Sequence, residues 1–446
     1  MKRATKISEM MNLFEPKELS IDELDEFYYP GTMASRMGDE DESPMEDIRY
    51  DCKMTKERNT FILVGHKGTG KSTELNNLAK ELGQEGYPVR VIACAKDVNP
   101  ESEMYVEILI LMAEALISIA DELKMELEPH ILKFLKEFWL SETEAEYSSE
   151  DLVNYEASLE AEIKTPSILA DILSVIGKAK ADVKNSSVIQ KTYQAKIDKR
   201  PSQWLIVLNL IAAAIANKRR QPILIFEDLD KLDSFDPQNA WNVFLNRSGF
   251  LKDFSFPVIY TFPIALSYDD KFGSIESLYG SVRRLPMIQV SEMNGEDHES
   301  GMNAIRSIVE KRADLSLFEE GVLDHAIRMT GGSLRDLFSI IRDASRLSER
   351  RGSQKVTMRA VNSNLLHKKF DRIIRIDKND YPFLMKIYEG EKKIISDKAE
   401  LLKMIRADIV VEYNGERWHD LHPLIREYFS ENLDDIKKMI ETDEKQ

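Results

Sequence analysis

Five short apolar runs are spaced along the chain, and stretches between them carry apolar residues at helical intervals. Thr60-Phe61-Ile62-Leu63-Val64, Tyr87 to Cys94, Pro222 to Phe226, Phe256 to Thr261 and Pro286 to Val290 are short and rich in β-branched residues. Such runs predict buried strands. Ser72 to Leu82, Glu101 to Glu126 and Trp204 to Ala216 predict intervening helices, the first ending at Gly83. Strands alternating with helices imply an α/β fold with a mainly parallel sheet covered on both faces.

The pattern changes twice downstream. From His298 to Lys369 it is purely helical, with Gly331-Gly332-Ser333 separating two helices. Two further helical stretches, Tyr381–Tyr388 and Asp397–Ile405, then precede extended runs around Asn414-Gly415. That dipeptide predicts a two-residue hairpin turn, since both positions accept positive φ. A closing helix, Pro423 to Phe429, completes the grammar of a winged helix. The expected divisions are 1–55, 56–297, 298–369 and 370–446, with a helical, partly mobile insertion at about 127–200 in the second.

Composition changes the picture only in places. The 446 residues suffice for two or three domains, and the formal charge of −17 argues against a chain that coats nucleic acid throughout. The segment 15–48, including Asp39-Glu40-Asp41-Glu42, reads as a mobile acidic lead-in or as an extended segment lying on the core, a solvated flexible region being favoured over an acidic regulatory tail. The two cysteines, Cys52 and Cys94, form no metal or redox spacing, so a reducing cytoplasm is expected. His419 and His422 lack further ligands nearby and read as packed or solvated. The longest apolar run, Trp204 to Ala216, is shorter than the roughly 20 residues a membrane span needs.

The chemistry centres on Gly65-His66-Lys67-Gly68-Thr69-Gly70-Lys71-Ser72 and the following Thr73. The spacing G-x-x-x-x-G-K-S lies between a predicted strand and a predicted helix. Several backbone N–H groups there converge on one spot suited to an anion. Glycines let the backbone curl round a phosphate. Lys71 can reach its outer oxygens, and Ser72 offers a hydroxyl to Mg²⁺. Glu227 and Asp228 end the third strand. One carboxylate would face the metal and the other a water; Glu227 is placed on the metal side, with a slip of one residue leaving Asp228 there instead. Asp230 is a spare carboxylate.

Four further residues fit around a phosphate. Thr261 ends the fourth strand, Arg335 follows Gly331-Gly332-Ser333, and Arg283 and Arg284 precede the fifth strand. Together these features resemble the AAA+ ATPases and the related signal-transduction ATPases called STAND. The C-terminal part is similar to the origin-recognition branch and to bacterial mobile-element and antiphage ATPases. The resemblance covers about residues 56–429. It implies ATP and Mg²⁺ as cofactors, a sheet order 5-1-4-3-2, and assembly through the arginine edge. It makes Thr261 and Arg335 sensors of the terminal phosphate, and Arg283 and Arg284 candidates for a neighbouring subunit's nucleotide. The acids depart from the family's usual Asp followed by Glu or Asp, and a shorter Asp on the water side implies slow turnover or a switch-like cycle.

Two classes of role remain open at this level. One is DNA handling or antiphage defence, with DNA held by the basic stretch 346–378, which includes Arg346, Arg350, Arg351, Lys368, Lys369 and Arg372. The other is a nucleotide-gated scaffold whose winged helix meets protein, as homo-oligomer or with another partner. The acidic residues Glu412, Glu416 and Asp420 on the wing weigh against base reading.

Overall fold

A computed structural model describes residues 3–38, 43–54, 59–94, 104–140, 167–185, 187–234, 236–393, 397–413 and 417–443. The fold is α/β. Five parallel strands, β1 (Thr60–Gly65), β2 (Val89–Ala93), β3 (Ile223–Glu227), β4 (Val258–Pro263) and β5 (Val282–Arg284), stand in the order β2-β3-β4-β1-β5. This is the expected 5-1-4-3-2 order. The apolar runs of β1, β3 and β4 are buried throughout, as interior parallel strands must be.

The fifth strand is not where the apolar pattern put it. Val282, Arg283 and Arg284 pair with Ile62, Leu63 and Val64. Leu285 donates once more, to the Val64 carbonyl. Pro286 has no N–H, so the ladder stops there. Residues 286–288 and Val290 are buried but lead away toward the helical lid, so Arg283 and Arg284 lie within the strand rather than before it.

Helices follow the predicted stretches with small shifts. The helix after the first strand spans Lys71–Gln84, running through Gly83. Met104–Glu122 is almost wholly buried, which its unbroken apolar composition requires. Within 127–200, helices Pro129–Leu140, Ser167–Asn185 and Ser187–Lys199 pack onto the same core, while 141–166 lies outside the described residues. None of the described helices is long and apolar enough to cross a membrane.

Of the two readings of the acidic segment, the described part lies on the core, with Leu19, Leu24, Phe27, Ser35 and Arg36 buried, and the solvated flexible reading is corrected. Residues 3–38 form short helices and extended segments wrapped round the core. Ala4, Ile7, Met10 and Phe14 recur at three- and four-residue steps, and all are buried against the lid helices. The Phe14 ring meets Phe338 edge-on at 5.5 Å. The run Asp39–Glu42 lies outside the described residues.

Four lid helices follow, Glu299–Glu310, Val322–Met329, Leu334–Arg350 and Met358–Ile373. The last runs through the expected border at 369/370. Beyond it, Tyr381–Glu389 and Lys398–Arg406 precede antiparallel β6 (Val410–Tyr413) and β7 (Trp418–Leu421), then helices Pro423–Glu431 and Leu433–Asp443. Tyr413 pairs with Trp418, so the two strands are antiparallel neighbours on either side of the expected turn. Asn414 and Gly415 themselves lie outside the described residues. The hairpin is buried on both faces: Val411, Tyr413 and Trp418 pack with Met287, while Ile409, Val410 and Leu421 join the helices behind.

Candidate functional site

The loop Gly65–Lys71 bends as its glycines predict. Gly68 and Gly70 have φ of 85° and 94°, a region that strains any residue with a Cβ. Leu334 at the start of the lid helix donates its N–H to the Gly68 carbonyl at 3.0 Å. A Cβ on Gly68 would lie 2.5 Å from Ser333 Oγ and 3.1 Å from Arg335 Cβ. The lid therefore sits directly on the loop, and Arg335 lines the same cleft as Lys71, Ser72 and Thr73. Thr69 is buried and its hydroxyl donates to the His66 carbonyl.

Lys71 is almost fully buried. Its ammonium donates to the carbonyls of Gly65 at 2.8 Å and His66 at 2.9 Å, and lies 2.9 Å from Asp230 Oδ2. Burial alone would raise the Asp230 carboxyl; the adjacent Lys71 charge and hydrogen bond override that and hold it below its ordinary range. The carboxylate treated as spare in the sequence is thus the one on the loop lysine. The spacing of Asp230 from the strand end gave no sign of this.

Glu227 and Asp228 separate at the strand end. Glu227 is buried at the tip of β3, beside the Ser72 hydroxyl, and its Oε1 has no hydrogen-bond partner. Burial, with Asp228, Glu18 and Asp230 nearby, pushes its carboxyl up to about 8. An orphaned buried carboxylate oxygen next to a loop hydroxyl fits a divalent cation, so the residues present suit Mg²⁺. Asp228 adopts φ 67° and pairs with Lys231. That turn aims it into the cleft rather than along the strand.

Thr261 is buried at β4. Its oxygen accepts the N–H of Leu229 at 3.1 Å and of Asp230 at 3.4 Å. The hydroxyl thereby fixes the acid turn on which Asp228 and Asp230 stand. Arg283 pairs with Asp47 and Asp51 at 3.2 Å each. Arg284 lies under Tyr268 and Phe272, 3.9 Å from Glu412. Both arginines are engaged within their own chain.

The N-terminal segment supplies one wall, which sequence reasoning missed. Leu19 donates to Thr73 Oγ1 and accepts from Asn76, strapping residues 16–19 across the start of the loop helix. Arg36 is buried and its guanidinium donates to the carbonyls of Thr69, at 2.6 Å, and Pro286. Tyr28 and Thr32 donate to Glu74 on the loop helix. The buried helical stripe from Ala4 to Phe14 was the available signal; Arg36 itself carried none.

The opposite wall is C-terminal. His66 Nε2 accepts the backbone N–H of Glu412 at 2.9 Å, and Tyr413 donates its hydroxyl to the Gly331 carbonyl at 3.0 Å. Lys67 is the loop's outward residue. His419 Nε2 contacts the Tyr268 hydroxyl, and His422 caps the helix Pro423–Glu431.

No family model and no curated protein matches the chain. Among solved structures it is similar to the Aeropyrum pernix ORC2 protein in its ADP form, at 11% identity and TM-score 0.41, covering 96% of this chain and 98% of that one. It is also similar to the Walker-type ATPase PABY2304 of Pyrococcus abyssi, at 13% identity and TM-score 0.39, over 86% and 93%. The Aeropyrum pernix ORC1 protein in complex with DNA is a third, at 10% identity and TM-score 0.37, over 87% and 93%.

Proposed function

We propose that this chain binds ATP with Mg²⁺ at Gly65–Thr73 and hydrolyses it, and that nucleotide state governs the docking of its C-terminal module. The observation that carries this reading is the buried Lys71 in its loop, flanked by Ser72 and the orphaned Glu227 oxygen. Loop N–H groups and Lys71 would hold the β- and γ-phosphates. Ser72 and Glu227 would hold Mg²⁺, whose chemistry there is neutralisation of phosphate charge. Asp228 would take a proton from water as its oxygen bonds to the γ-phosphorus and the β–γ bridging bond breaks. Arg335, on the cleft wall, would meet charge on the γ-phosphoryl group.

This reading takes 56–297 as the ATPase core, 298–369 as lid and 370–446 as a winged-helix module, with 1–55 as a strap. The gated-scaffold form is favoured because the module's hairpin is buried against the loop. The basic stretch supports it too: Lys368 pairs with Asp336, Lys369 with Glu427 and Glu431, and Arg372 with Asp336 and Asp408. DNA handling is a second reading, favoured by the exposed Arg350, Arg351, Lys355 and Arg359, which form no ion pair among the described residues. Assembly through Arg283 and Arg284 would require them to leave their present partners.

The test is calorimetric titration of ATP with Mg²⁺, beside phosphate release. Asp228→Asn should keep binding and lose turnover. A chain that binds no nucleotide would remove the reading. Turnover retained in Asp228→Asn and lost in Glu227→Gln would exchange the roles of the acids.

A further inference from the structure

Lys71 has three ammonium donors, and Gly65, His66 and Asp230 take all three. Two of these acceptors are neutral carbonyls of the loop itself. The third is a full negative charge, and it lies 2.9 Å from the nitrogen. The pair is enclosed, with 7% of the Lys71 side chain and 12% of the Asp230 side chain exposed. Screening is weak there, so an anion on Lys71 acts strongly on any second anion that approaches it. The acid turn is also fixed from behind, since Thr261 Oγ1 accepts the Asp230 N–H. Asp230 is therefore held at the lysine by backbone, not only by its own charge.

We propose that Asp230 is an internal competitor for phosphate: a built-in anion on Lys71 that nucleotide displaces on binding and that drives nucleotide off after turnover. This rests on the nucleotide reading given above and assigns a positioning residue within it. Displaced from Lys71, the carboxylate has Lys231 and Arg335 as cationic neighbours on the same cleft wall. Lys231 pairs with Asp228 at 2.5 Å in this structure, so the displaced carboxylate would share that lysine or meet Arg335. No bond is made or broken; one ion pair replaces another. The competition disfavours occupied states, so it lowers affinity and speeds release together. Glu227, beside Ser72, and Asp228, on Lys231, do not themselves contact Lys71.

The sign of the effect separates this from a structural role. Asp230→Asn keeps the shape and removes the charge, so ADP should bind more tightly, by about tenfold, equivalent to about 1.4 kcal/mol. A merely structural residue would weaken binding when changed. ADP affinity and dissociation rate are measured by calorimetry and stopped flow in EDTA and again with Mg²⁺. Tightening in both, with slower ADP release, a lower KM and a lower kcat, is the expected result. Asp230→Glu should restore weaker binding. Asp230→Ser, smaller and uncharged, must tighten as well, which keeps the test alive if the Asn variant folds poorly. Unchanged or weaker ADP binding in both uncharged variants would overturn the proposal. Tightening seen only with Mg²⁺ would also overturn it, since the residue would then act through the metal. If the unsubstituted chain binds no nucleotide, the nucleotide reading itself fails and this one with it.

Discussion

His66 Nε2 accepts the N–H of Glu412 at 2.9 Å, joining the glycine-rich loop Gly65–Lys71 to a hairpin 346 positions further along the chain. Both residues are buried. The bond requires the unprotonated Nε2, so the ring is neutral and carries its one proton on Nδ1. Burial first, then the charges of Lys71, His419 and Arg284, push the His66 pKa down to about 4, against the opposing pull of Glu412.

The first prediction follows from that shift. A histidine depressed in the folded state contributes stability that is complete above its unfolded value near 6.5. The contribution is lost as pH falls toward 4. The full loss is about 3 kcal/mol by linkage. Hydrogen exchange of 409–413 should accelerate between pH 6.5 and 4 after correction for intrinsic rates. His66→Ala should exchange fast at every pH, and a flat profile in the unsubstituted chain would refute the linkage.

Glu227 gives the second, with the opposite sign. Its carboxyl is raised to about 8, so its contribution to stability is complete below the unfolded value of about 4.5. That contribution is lost as pH rises through 8. Binding of Mg²⁺ demands the carboxylate, so at pH 7 it should release close to one proton. Titration of Mg²⁺–ATP in buffers of different ionisation enthalpy reads this directly. Glu227→Gln should abolish the proton release while nucleotide alone still binds.

Lys71→Ala should weaken ATP binding by roughly ten- to a hundredfold, the range for losing a charge-assisted hydrogen bond. It also frees the buried Asp230 carboxylate of its partner. The melting temperature of the variant should therefore fall at neutral pH and recover toward acid pH. A neutral-pH melt equal to that of the unsubstituted chain would contradict the buried pairing.

Arg36→Ala tests the N-terminal wall. The guanidinium bridges the carbonyls of Thr69 and Pro286, with the buried Glu74 carboxyl nearby. Removing it leaves those groups unmet in the interior, at a cost of about 3 kcal/mol. Urea unfolding should show that loss, and ATP affinity should fall with it. A variant of full stability would mean that the strap contributes nothing to the loop.

The basic stretch divides into two halves with different outcomes. Reversing Lys368 and Arg372 should destabilise the junction between the helix Met358–Ile373 and the following module, because Asp336 and Asp408 lose their partners. Reversing Arg350, Arg351 and Lys355 should leave the melting curve within about 0.5 kcal/mol of the original, as exposed charges do. If DNA binds, only the second set should weaken it and flatten its salt dependence.

The sequence alone determined four strands of the sheet, the glycine-rich loop and the helices that follow the core. Parallel strands buried on both faces need unbroken apolar runs, and a phosphate loop needs glycine at fixed steps; both are local demands. The runs of β1, β3 and β4 and the turn at Gly68 and Gly70 were legible for that reason. The fifth strand was misplaced because apolar residues 286–288 and Val290 are buried without pairing, while Val282-Arg283-Arg284 pairs without being apolar. Which acid meets Lys71 was decided by the turn that Thr261 fixes from another strand. Which basic residues stay exposed was decided by Asp336, Asp408, Glu427 and Glu431 arriving from elsewhere in the chain. Arg36 and Glu412 reach the loop across 33 and 346 positions, and no periodicity spans such distances. Spacing records what a segment needs from itself; charge pairing across the fold depends on where each segment comes to rest.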